Sequence, residues 1–79
     1  MASTLKLRVD GGGPRYYVGN HPVHAGDTLE LYLGKDHWLP VRFEMDGEDP
    51  IFYLGLGDTE DAATLRVPEA AIFRWPKRG

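Results

Sequence analysis

The stretch TLELYLGKDHWLPVRFEMDGEDPIFYLGL, Thr28 to Leu56, carries the sustained hydrophobic periodicity of this 79-residue chain. Leu29, Leu31 and Leu33 alternate with Thr28, Glu30 and Tyr32. After a short interruption, Leu39, Val41, Phe43 and Met45 alternate with Trp38, Pro40, Arg42 and Glu44. A period of two places each apolar set on one face of a strand. A third run, Ile51 to Leu56, follows the turn signal Asp46-Gly47. The pattern predicts a three-stranded antiparallel meander with the rest of the chain wrapped around it.

Parity constrains how the first two strands pair. A four-residue loop would set Leu33 opposite Trp38 and turn Arg42 toward the leucine face, because a one-residue slip flips every side chain. An odd loop is therefore required. Five loop residues, Gly34 to Trp38, put Leu33 opposite Leu39, Leu31 opposite Val41 and Leu29 opposite Phe43. Glu30 then faces Arg42 across the outer surface, an opposite-charge pair worth roughly 0.2–1 kcal/mol. Three loop residues would place Tyr32 opposite Trp38 instead. The five-residue loop is the preferred expectation, and Leu29, Leu31, Val41 and Phe43 are the expected core.

Around the meander, Thr4 to Val9 reads as a first strand, with Leu5, Leu7 and Val9 inward and Lys6 and Arg8 outward. Asp10-Gly-Gly-Gly-Pro14 breaks it, and Tyr16 to Val18 is a short second strand. Gly19-Asn20-His21-Pro22 reads as a turn, and Val23-His24 as a brief strand before Ala25-Gly26-Asp27. Beyond the meander, Asp58 to Asp61 would hold at most one helical turn, because Thr59-x-x-Ala62 fails as a capping box. Ala62 to Val67 resumes a strand with Leu65 and Val67 inward. Pro68 to Ala71 fits one 3₁₀ or α turn, and Ile72 to Trp75 is a last short strand stopped by Pro76.

Five to six short antiparallel strands, punctuated by glycine and proline, with one short 3₁₀/α turn, predict an all-β small barrel over residues 1–79. Closure would also remove the exposed edges of a lone meander. Three segments carry a resemblance: Ala25-Gly26-Asp27-Thr28-Leu29-Glu30-Leu31, Trp38-Leu39-Pro40-Val41-Arg42-Phe43-Glu44 and Phe52-Tyr53-Leu54. This layout resembles that of small bacterial SH3-like barrel domains of unknown function. The shared motifs are structural, so the resemblance implies a fold and brings no activity with it.

A chain of this size buries only about 60% of its unfolded surface, so its margin of stability is thin. Cysteine is absent, which removes disulfides and thiolate metal sites and fits a reducing compartment. MASTLKLRVD has no basic segment leading into an apolar core, and no apolar run approaches the roughly 20 residues of a membrane span. A cytoplasmic protein without membrane contact is the expectation. Net charge is −3, unevenly spread. Residues 44–61 hold seven carboxylates and no basic residue, and Arg74, Lys77 and Arg78 follow near the end. An acidic middle disfavours general nucleic-acid binding, which draws its affinity from phosphate neutralisation. Acidic loop tips are also an ordinary route to solubility.

Motifs for chemistry are lacking. Asp10-Gly-Gly-Gly-Pro14-Arg15 does not end in the Gly-Lys-Ser/Thr of a phosphate loop, and Gly55-x-Gly57 lacks the third glycine and helix of a dinucleotide fingerprint. Ser3 is the sole serine and has no Gly-x-Ser-x-Gly context. The carboxylate groups fall in predicted loops and read as solvated, with no paired acid and base implied. His21, His24 and His37 lack a third ligand at a signature spacing. No catalysis, metal or cofactor is expected.

The outward residues are more informative. Tyr32, Trp38 and Arg42, joined by Tyr53 if Phe52, Leu54 and Leu56 point inward, belong to residue types enriched at interaction hot spots. They suggest an interaction module for a protein partner, self-association included. The structural alternative has Trp38 and the tyrosines shielding an open barrel end, packed under Tyr16-Tyr17 or the tail. A second reading is a single-stranded nucleic-acid binder, with Tyr16, Tyr17, Tyr32 and Trp38 stacking bases and Arg8, Arg15, Arg42, Arg66 and Arg74 on the backbone. A third is an acidic inhibitor whose 44–61 segment imitates nucleic acid.

Overall fold

In the computed structural model, which describes residues 2–54 and 64–77, the chain is all-β and barrel-like. The strands are β1 (Ser3–Asp10), β2 (Gly13–Val18), β3 (His21–Pro22), β4 (Thr28–Gly34), β5 (His37–Asp46), β6 (Asp49–Leu54), β7 (Thr64–Leu65) and β8 (Ile72–Arg74). They form one antiparallel sheet in the order β3-β2-β1-β8-β4-β5-β6-β7. The meander is β4-β5-β6. The last strand, three residues long, lies between β1 and β4 and joins the amino-terminal hairpin to the meander. Two of the strands, β3 and β7, are two-residue edges, and His21-Pro22 is in β3 whereas Val23-His24 is not in a strand. Pro68 to Ala71 is a single turn closed by Ala71 N–H to the Pro68 carbonyl at 3.0 Å. No helix occurs among the described residues. The helical turn considered at 58–61, and the inward placement of Leu56, lie outside them.

The core is Val18, Val23, Leu29, Leu31, Val41, Phe43, Phe52 and Phe73. All four expected core residues of the meander are in it. Phe43, Phe52 and Phe73 form a chain of rings, with centroids 5.7 Å apart for the first pair and 4.8 Å for the second. Tyr16 continues it, edge-on to Phe43 at 6.0 Å. Ser3 ties the start of β1 to the turn after β2, where its Oγ accepts the Gly19 N–H at 2.7 Å and donates to the Thr4 carbonyl.

The β4–β5 register corrects the preferred expectation. Tyr32 lies opposite Trp38, Leu31 opposite Leu39, Leu29 opposite Val41 and Thr28 opposite Arg42. Both registers keep the same parity, so alternation could not separate them. The turn decides. Lys35 and Asp36 both have positive φ, 50° and 62°, as a two-residue type I′ loop requires. Gly34, at φ 92°, takes up the bulge between Tyr32 and Gly34. This turn matches the right-handed twist of the strands, which a wider loop would not impose. Glu30 consequently faces Pro40, not Arg42.

The turn also carries a cost. Lysine at positive φ crowds its Cβ against the backbone by about 1–2 kcal/mol. Lys35→Asn with Asp36→Gly supplies the residues that favour type I′ loops, and is expected to raise stability by about 1 kcal/mol in urea unfolding. A fall would show that the loop prefers another geometry.

Four residues read as inward are exposed: Leu7 at 55%, Val9 at 76%, Leu33 at 58% and Met45 at 40%. Val9, Leu33 and Met45 are each next to last in their strands, and Leu7 lies two positions before Val9. Alternation sets the side on which they project; Leu7, Val9 and Met45 line one open cleft with Val23 and Phe43.

Candidate binding face

Tyr32, Trp38, Arg42 and Tyr53 project from the outer surface of the meander. The ladders put Tyr32 beside Trp38 and Arg42 beside Tyr53, with Pro40 between the two pairs on β5. The rings of Tyr32 and Trp38 are 4.9 Å apart and tilted by 50°. The Arg42 guanidinium lies 4.7 Å from the Tyr53 ring centroid, and its Nε is 3.0 Å from Glu44 Oε2. All four are thus on one face in two ordered groups.

Arg74 completes the first group. Its guanidinium stacks over Trp38 at 4.0 Å, and its Nε donates to Glu30 Oε1 at 2.7 Å. Sequence reasoning included Arg74 only in the nucleic-acid reading and missed this role. The pairing of β8 with β4 spans 44 positions and leaves no local signal. Cation–π contacts contribute about 0.5–1 kcal/mol at exposed sites and more when desolvated. Together with the ion pair, the stack holds these aromatic and arginine side chains in a set geometry.

Trp38 does not pack under Tyr16 and Tyr17. Trp75 bridges to that hairpin instead, with Nε1 donating to the Val18 carbonyl at 3.2 Å and its ring edge-on to His21. Tyr16 belongs to the core layer, on Phe43. Of the arginines considered for a nucleic-acid backbone, Arg42, Arg66 and Arg74 form ion pairs with Glu44, Asp46 and Glu30 respectively. Glu44 and Asp46 of the acidic segment are accordingly neutralised locally, and Asp58 to Asp61 lie outside the described residues.

The histidines are not gathered. His24 accepts from Arg15 at 3.1 Å through Nε2, its backbone N–H donates to Asp27, and His21 faces Trp75. Among the described residues no group of three histidine, aspartate or glutamate side chains is placed to hold a metal ion. No helix long and apolar enough to cross a membrane is found among those residues either.

A family model described as a domain of unknown function, DUF5348, matches residues 4–70. The chain belongs to this family. The match runs from the second residue of β1 through β7 and ends just before β8. In this DUF5348 domain the strand that sets Arg74 on Trp38 therefore lies beyond the matched span. No curated protein and no solved structure matches the chain.

Proposed function

We propose that this domain is a non-catalytic interaction module of the SH3-like barrel kind, binding a protein partner on the outer face of its meander. The meander, the turn at 68–71 and the short final strand support that barrel type. The observation that carries the function is the Glu30–Arg74–Trp38–Tyr32 stack, continued across Pro40 to Arg42 and Tyr53. Aromatic and arginine side chains provide contact area at low entropic cost when their rotamers are already held. Self-association through the same face is one form of this function. A cytoplasmic setting suits a chain without cysteine.

Trp38→Ala is the test. The substitution removes one stacked ring and one cation–π contact, which together cost about 1–2 kcal/mol of folding stability. Loss of an interface anchor costs about 2 kcal/mol or more, close to thirtyfold in affinity. Partner capture from host lysate, with sedimentation for self-association, should therefore fall about thirtyfold while the variant stays folded. Equal capture by the variant would remove the outer face from consideration. Salt separates the nucleic-acid reading: a phosphate-binding surface loses affinity steeply between about 50 and 200 mM salt, and an aromatic protein contact only mildly.

A further inference from the structure

We propose that the free edge of β1 is a strand-addition site for an extended peptide whose side chains alternate apolar and acidic. On one side β1 pairs with β2 from Leu5 to Asp10; on the other it pairs with β8 only at Ser3 and Thr4. The cause is the turn at Pro68–Ala71, which brings the chain into β8 only at Ile72. Among the described residues nothing continues the ladder beyond Thr4. Lys6, Leu7, Arg8 and Val9 are all exposed. An unpaired edge is a template for another strand, and backbone hydrogen bonds supply the affinity in that mode.

The two faces of the edge select the occupant. On the inner side Leu7 lines a cleft of about 720 Å³ with Leu5, Tyr16, Pro50 and Val67, which Asp49, Arg66 and Glu69 also border, and Val9 is the most exposed of the large apolar residues described. On the outer side, Arg8 lies directly opposite Arg15 with Lys6 one step away. Like charges directly opposite are destabilising. Arg8 rests over Tyr17 at 4.8 Å and Arg15 donates to His24. Among the described residues neither they nor Lys6 pair with a carboxylate, whereas Arg42, Arg66 and Arg74 do. Acidic side chains on an added strand would relieve that repulsion while its apolar side chains enter the cleft.

Charge excludes the simplest rival. A second copy pairing β1 with β1 would set the lysine and arginine of one strand against those of the other. Single-stranded nucleic acid could use the basic row but would leave Leu7, Val9 and the backbone edge unsatisfied. The site is separate from the outer face of the meander, so the two readings stand or fall independently.

The probe is an acetylated Glu-Val-Glu-Val-Glu-Val peptide titrated into the whole chain and followed by amide chemical shifts. Shifts at Lys6 to Val9 are expected. Full N-methylation of the peptide should weaken binding at least tenfold, as should Arg8→Glu, an exposed change that leaves the fold intact. A Lys-Val peptide should also bind at least tenfold less tightly, and Trp38→Ala should change nothing. The proposal is overturned by equal binding of the N-methylated peptide, by shifts centred on Tyr32 and Trp38, or by no binding at millimolar peptide. Tighter binding of oligothymidylate at the same amides, or a dimer abolished by Arg8→Glu, would overturn it in favour of those occupants.

Discussion

Phe73→Ala is expected to remove about 3–5 kcal/mol of stability, enough to leave so small a domain largely unfolded. Phe73 has no exposed surface and stacks on Phe52 at 4.8 Å with an interplanar angle of 22°. It is also the central residue of β8, opposite Ser3 on one side and Leu31 on the other. Truncation would open a cavity at the point where the amino-terminal hairpin and the meander are joined. Three residues of strand have few other contacts with which to hold that joint. Urea unfolding with tryptophan fluorescence measures the loss, and Ile72→Ala, at an exposed position of the same strand, should cost under about 1 kcal/mol. Comparable losses for the two would mean that β8 contributes backbone pairing and not the ring.

Leu31→Ala should cost about 2–5 kcal/mol and Leu33→Ala under about 0.5 kcal/mol. The two leucines share a strand, a parity and a side-chain volume. Leu31 is 6% exposed, between Leu39 and Phe73, while Leu33 is 58% exposed beside the Gly34 bulge. With Leu33 opposite Leu39, the register preferred from sequence, Leu33 would gain a cross-strand leucine and its truncation would cost more. Paired denaturation midpoints at unchanged m-value therefore read the register directly. Similar losses at the two positions would restore the wider loop.

Much of the fold was legible in the chain. Alternation identified the β4, β5 and β6 segments and assigned Leu29, Leu31, Val41 and Phe43 to the core, because a side chain's face follows from the strand's period alone. Asp46-Gly47 marked the second hairpin, and Gly47 has the positive φ, 64°, that such a tight turn needs. The same alternation placed Tyr32, Trp38, Arg42 and Tyr53 on a common outer surface.

What remained depended on contacts that a period of two cannot express. A two-residue shift in register leaves every side chain on its original face, so only the geometry of the Lys35-Asp36 turn could choose Tyr32 as the neighbour of Trp38. Arg74 reaches Trp38 because β8 inserts between β1 and β4, a pairing distant in sequence. Leu7 and Val9 project toward the inner side as the pattern required, yet they stay exposed, lining an open cleft with Phe43 and Met45. A side chain's direction is a local property of the strand; whether anything lies there to meet it is decided by the packing of distant segments.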